Sequence, residues 1–157
     1  ALAMQDLQAL EAIRQLKYRY FRSLDCNDWA LFAECLSEDC RAAYSDGRLC
    51  LDGRRAIVDF MRENMSGADF LSMHHGHHPE IAIEDADNAT GTWYLEDTII
   101  SLKRATRLYG AAIYEDRYRR EDGRWLISET GYRRTFEIVE PLNPEARVLS
   151  NMFATGD

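Results

Sequence analysis

The chain has 157 residues, a length that fits one domain built around one core. Hydrophobic residues make up 46% of it with no low-complexity tract, so it can bury that core unaided. Nineteen Lys and Arg against 27 Asp and Glu leave a net charge of −8, which argues against a nucleic-acid or anionic-membrane surface, since both need clustered positive charge. Leu7, Leu10, Ile13, Leu16, Tyr20 and Leu24 recur at three- and four-residue steps and predict a first helix with one apolar stripe. The pattern breaks at SLDCND, where Asn27 or Asp28 can cap a short second helix, WALFAECL. CRAAYSDGRLCL reads as a hairpin turning at Asp46-Gly47. Asp52 is then expected to cap a helix through RRAIVDFMREN, with Ile57, Phe60 and Met61 on one side.

From residue 72 the period changes to two. Four longer strands are predicted: HHPEIAIE, TGTWYLEDTIISL, RLYGAAIYEDRYRR and GRWLISETGYRRTFEI, with turn signals at Asp87-Asn88 and Asp122-Gly123. The basic run RYRR, residues 117–120, is flanked by acids and reads as a solvated strand edge. The tail from Val139 carries two prolines and is expected to pack irregularly or against a neighbour. Helices followed by an antiparallel meander mean α+β, with helices covering one face of a curved sheet. The expected organisation is one domain over residues 1–157, with its core in 5–138 and a tail in 139–157.

Cys26, Cys35, Cys40 and Cys50 form no C-x-x-C pair, so they suggest no thiolate metal site. ALAMQDLQAL lacks a basic, apolar leader, and no stretch approaches the roughly 20 apolar residues of a membrane span. The expectation is a soluble cytoplasmic protein with reduced thiols.

Several residues sit where the pattern disfavours them. Strict alternation in WYLEDTI places Trp93, Leu95, Asp97 and Ile99 on one face, so Asp97 is desolvated or paired. An arginine partner would satisfy it structurally; a pocket would give it chemistry. Asp25 ends the first helix, where the macrodipole disfavours negative charge. It either starts an Asx turn or points inward to accept from an imidazole. Tyr20 on the apolar stripe and Tyr44 before the turn are each core residues or hydroxyl donors to a ligand.

LSMHHGHHPE, residues 71–80, holds every histidine in the chain: His74, His75, His77 and His78. An H-x-H pair can hold a transition metal if a third ligand joins it, and His75 and His77 have that spacing. A single imidazole paired with a carboxylate asks for less, and the chain supplies several candidates for such a dyad. No metal is therefore assigned.

The ordered segments YFRSLD, AAYSDGRL, DGRRAIVDF, SMHHGHHPEI, ATGTWYLED and WLISETGYRR resemble the nuclear transport factor 2-like superfamily. Within it the chain is similar to the SnoaL-like enzymes, whose relatives include scytalone dehydratase and a hexachlorocyclohexane dehydrochlorinase. The strongest resemblance, over about residues 11–138, is to bacterial bile acid 7α-dehydratases. The resemblance implies a cone: a curved antiparallel sheet wrapped around a pocket that N-terminal helices close. It places Tyr20, Asp25, His74 and Asp97 as catalytic and Tyr44, Arg134 and His77 as substrate-binding. Strict alternation puts His75 and His77, rather than His74, with Ile81 and Ile83, so choosing His74 requires either that both sheet faces are covered or that a bulge near Gly76–Pro79 resets the phase.

The implied reaction is a cofactor-free elimination of water from a hydrophobic, steroid-like hydroxylated ketone. His74, served by Asp25, would take a proton from carbon. Tyr20 and Tyr44 would bind the carbonyl oxygen, Asp97 would assist departure of the hydroxyl, and Arg134 would tune the carboxylates or bind a substrate oxygen. The alternatives are an isomerase, cyclase or dehydrohalogenase using the same pocket, a non-catalytic small-molecule-binding module, or a metalloenzyme using His75 and His77. The resemblance also implies a homo-oligomer, a trimer in preference to a dimer.

Overall fold

The computed structural model describes residues 2–155. The helices are α1 (Met4–Asp25), α2 (Trp29–Glu34) and α3 (Arg54–Asn64). Strands β1 (Leu36–Tyr44) and β2 (Leu49–Asp52) separate α2 from α3, and β3 (Phe70–Ile83), β4 (Asn88–Ser101), β5 (Thr106–Glu121) and β6 (Arg124–Pro141) follow. They form one six-stranded sheet in the order β2-β1-β6-β5-β4-β3. The fold is α+β, with the core between the helices and one face of the sheet. The sheet is mixed rather than wholly antiparallel, because β1 runs parallel to β6. The intervening helices and strands give the chain length enough to make that parallel pairing.

Helix α1 buries Ile13, Leu16, Tyr20 and Leu24, as its stripe predicts, but Leu7 is exposed and Lys17, Phe21 and Ser23 join the buried side. Asp28 caps α2 by accepting from the Leu31 N–H at 3.1 Å. Asp52 does not cap α3. It ends β2, and Gly53 is the cap residue at φ 97°, a left-handed backbone that glycine adopts without strain. Ile57, Val58 and Met61 are the buried side of α3, and Phe60 packs partly buried against the same core. Asp122 and Gly123, both at positive φ, form the tight turn between β5 and β6.

The RYRR run is not at a sheet edge. It lies on β5, between β4 and β6, with Tyr118 buried inward and its arginines paired: Arg120 with Asp87, and Arg119 with Asp39 and Glu121. After Pro141 the chain is irregular, and Asn151 ties it back by donating to the Ala68 carbonyl at 2.9 Å. All four cysteines are free. Among the described residues no helix is long and apolar enough to cross a membrane.

The phase of β3 decides the site. His74 lies opposite Asp97 and His77 opposite Tyr94, yet Glu80 lies opposite Thr92, so β3 carries one extra residue between His77 and Glu80. His78, at φ 28°, is part of this bulge. Because one inserted residue exchanges the faces of a strand, His74 and Ile81 both point to the core side although seven residues separate them. Gly76 also faces inward, where a Cβ would collide with the Phe21 ring and lie 3.2 Å from the Trp93 ring. Only a glycine lets α1 approach β3 this closely.

Candidate active site

Asp25, at the C-terminal end of α1, reaches β3. Its Oδ1 lies 2.6 Å from His74 Nδ1 and accepts from Ser72 Oγ at 2.8 Å. Its Oδ2 accepts from the His74 backbone N–H at 2.8 Å. Asp25 thus accepts on both oxygens from Ser72 and the backbone, and with Nδ1 assigned as a third donor the Nε2 lone pair is left free; the tautomer is assigned from these partners. The His74 side chain is 6% exposed and the Asp25 side chain 20%. Phe21 stacks on the imidazole with ring centroids 6.1 Å apart. The result is a fixed, largely desolvated imidazole.

Across the strand pair from His74, Asp97 is 1% exposed. Arg134 of β6 holds both its oxygens, Nη1 to Oδ1 at 2.6 Å and Nη2 to Oδ2 at 2.9 Å. Burial alone would lower the guanidinium's pKa, but the hydrogen bonds and charge of Asp97 raise it above the ordinary arginine value. Arg134 lies over the Tyr132 ring at 5.0 Å, Tyr132 packs on Tyr114, Tyr114 on Phe21, and Phe21 on His74. These contacts close a ring of side chains that runs from His74 through aromatic walls to the Asp97–Arg134 pair and back to His74 across the strands.

Tyr20 and Tyr44 meet at the buried end of the core, hydroxyl to hydroxyl at 2.6 Å. One hydroxyl donates to the other, so one of the two protons remains available to a further acceptor. Burial raises both pKa values above the ordinary tyrosine value. The pair therefore stays protonated at neutral pH and offers a hydrogen-bond donor rather than a phenolate.

His77 stands apart from this set. It faces the outer side of the sheet, where its Nε2 lies 3.1 Å from Glu96 Oε1. A cleft of about 580 Å³ along the β3 edge touches Tyr18, Phe21, Asp25, His74, Gly76 and His77. His77 therefore meets the cleft rim while its polar end belongs to the far face.

Sequence reasoning missed three participants. Ser72 lies two residues before His74, so alternation alone puts it on the same face. Lys17 Nζ lies 2.8 Å from Asp116 Oδ2, both side chains fully buried, and stands over the Tyr114 and Tyr20 rings at 3.8 and 4.4 Å. Burial lowers the Lys17 pKa, and Asp116 opposes that shift. Asp116 also accepts from Thr130 Oγ1 at 2.7 Å and Tyr118 OH at 2.8 Å. Lys17 falls within the apolar stripe of α1, and Asp116 alternates with Tyr114 and Tyr118. A charge on an apolar face, the signal that exposes Asp97, was thus present at both.

The buried hydroxyls make one prediction. Burial raises the pKa of Tyr20, Tyr44, Tyr114 and Tyr118 above 10.0. Folding then favours their protonated forms: this contribution is intact below about pH 10 and is lost as pH rises through the folded values. Each should steepen the loss of stability by about 1.4 kcal/mol per pH unit once the unfolded tyrosines ionise. Urea-unfolding midpoints measured upward from pH 9.5 (roughly the onset of tyrosine ionisation) should fall steeply, with phenolate absorbance from these four appearing only on unfolding.

The SnoaL-like domain profile matches residues 5–131. A hexachlorocyclohexane dehydrochlorinase from Novosphingobium barchaimii superposes with a TM-score of 0.79 at 20% identity, covering 94% of this chain and 99% of that one. A candidate scytalone dehydratase from Novosphingobium aromaticivorans gives a TM-score of 0.78 at 21% identity, covering 92% and 97%. ActVI-ORFA from Streptomyces coelicolor gives 0.69 at 15% identity, covering 82% and 98%. At these identities the superpositions speak for the fold, and the profile match speaks for the family. The chain belongs to the SnoaL-like domain family.

Proposed function

We propose that the protein is a cofactor-independent lyase that eliminates water from a hydrophobic, steroid-like hydroxylated ketone. The observation that carries this reading is the Asp25–His74 contact at 2.6 Å, with Nε2 left as a free base beside the aromatic wall. His74 Nε2 takes a proton from the γ carbon of the enone, the carbon next to the one that bears the hydroxyl. Electron density moves onto the carbonyl oxygen, which the free proton of the Tyr20–Tyr44 pair stabilises; one preorganised donor of this kind is worth roughly 3–4 kcal/mol. The C–O bond to the leaving hydroxyl then breaks, and the proton on His74 departs with it as water. Asp25 keeps the imidazole in the right tautomer and offsets its positive charge while it holds that proton.

Asp97 enters differently from a free acid. Both its oxygens are engaged by Arg134, whose Nε lies 3.0 Å from Glu137 Oε2, so it acts by fixing a guanidinium that carboxylates flank on two sides. A homo-oligomer, a trimer in preference to a dimer, is part of the same proposal.

The test is incubation of purified protein with a 7α-hydroxy-3-oxo-4-ene steroid, followed by absorbance of the extended dienone. Growth of that band supports the reading, and an unchanged steroid at high enzyme concentration defeats the substrate class. The same dyad would also serve dehydrohalogenation, because removal of a proton from carbon is common to both reactions. Halide release from a chlorinated cyclic substrate, without dienone formation, would assign that chemistry instead.

A further inference from the structure

Two of the histidines that do not serve the dyad, His75 and His77, converge on a carboxylate of the opposite sheet face. His75 and His77 occupy alternate positions of β3, and His75 lies directly opposite Glu96 of β4. Glu96 Oε1 is 3.1 Å from His77 Nε2 and 3.9 Å from His75 Nδ1. Ligand atoms of all three lie within 4.8 Å of one another. The other oxygen, Oε2, accepts from the Tyr109 hydroxyl at 2.8 Å, which turns Oε1 toward the two imidazoles.

We propose that His75, His77 and Glu96 form a binding site for one divalent transition-metal cation of the zinc type on the outer face of the sheet. Two imidazoles and a carboxylate are a donor set that suits such ions, with water completing the coordination. Tetrahedral coordination at about 2.0–2.1 Å sets neighbouring donor atoms about 3.4 Å apart. One observed separation already falls below that and another exceeds it by half an ångström, which small rotations of half-exposed side chains close. An ordinary surface ion pair would explain His77 against Glu96. It leaves unexplained a second imidazole aimed at the same oxygen and a tyrosine that orients the carboxylate from outside, the arrangement that tunes metal ligands.

Its ligands project from the face of β3 opposite His74, although His75 and His77 border the same edge cleft as His74 and Asp25. His74 faces the core side of the sheet, so a cation bound by His75 and His77 touches neither Nε2 of His74 nor Asp25. The inference therefore stands or falls independently of the proposed reaction.

Equilibrium dialysis of untagged protein against Co²⁺, with the visible absorption of the bound ion recorded, tests it. One Co²⁺ per chain is expected, displaced by Zn²⁺, with bound nitrogen ligands evident in the spectrum. His77→Ala and the near-isosteric Glu96→Gln should each abolish stoichiometric binding. Tyr109→Phe should weaken it about 10- to 100-fold, as loss of an outer partner does elsewhere. His74→Ala should leave it unchanged. Failure of the unaltered protein to retain Co²⁺, retention by both His77→Ala and Glu96→Gln, or loss in His74→Ala would overturn the assignment. Thermal unfolding of each variant without metal checks that the fold is intact.

Discussion

Replacing His74 with alanine is expected to lower turnover of the hydroxylated ketone by about 10²- to 10⁴-fold, the range that a positioned general base contributes. The loss should appear in kcat more than in KM, since an imidazole that removes a proton acts mainly in the transition state. Stability should change little, because Asp25 keeps its hydrogen bonds from Ser72 and the residue-74 backbone. Asp25→Asn makes a sharper companion. The amide would place a donor against Nδ1, drive the proton to Nε2 and remove the lone pair without removing the ring. Its turnover should fall by a comparable factor while the fold persists, as in the analogous tautomer reversal of serine proteases. Steady-state rates alongside urea-unfolding midpoints separate the two effects. Turnover by His74→Ala at the unaltered rate would remove this residue from the mechanism.

Asp116→Asn is expected to destabilise the protein by about 3–5 kcal/mol, the usual cost of removing one member of a buried ion pair. The reason is local. Lys17 is fully buried among Tyr20, Phe21 and Tyr114, and Asp116 is the carboxylate at its ammonium group. With a neutral partner the ammonium must either remain charged in an apolar site or give up its proton, and both cost free energy. Lys17→Met should cost less. It removes the charge and keeps the apolar stem, while Asp116 retains donors from Thr130 and Tyr118. Urea unfolding at neutral pH measures both. An order in which Lys17→Met is the more damaging would show that the carboxylate left without its cation, rather than the ammonium left without its carboxylate, is the costlier orphan. Because Tyr20 sits beside Lys17, Asp116→Asn should also disturb the Tyr20–Tyr44 pair and lower activity in the molecules that remain folded.

Much of this architecture is legible in the chain. The three-and-four spacing of Ile13, Leu16, Tyr20 and Leu24 specifies α1, and alternation in WYLEDTI specifies the inward face of β4. Both are local, periodic signals that survive in almost any tertiary setting. Asp25 and Asp97 stand out for the same reason: each carries charge where a local rule disfavours it. Lys17 and Asp116 obey that logic as well, but Asp116 is masked by the exposed charges of Glu115 and Arg117, and a lysine among the leucines and tyrosines of α1 can equally extend its ammonium to solvent. Ser72 carries no such mark, since a serine on a strand is ordinary on either face.

Local patterns in the chain specify the order of helices and strands, the apolar faces, and the carboxylates out of place on them. Alternation alone left open which histidine serves which face, and the folded register of β3 settles it. One extra residue at the His78–Pro79 bulge exchanges the faces of β3, and a shift of a single position is invisible to a period of two. It turns His74 toward Asp25, 49 positions away in the chain, and leaves His75 and His77 with Glu96 on the other side. The parallel pairing of β1 with β6 is likewise a long-range choice, made by packing rather than by any local pattern. Pairings of that kind depend on surfaces that exist only once the helices have closed over the sheet.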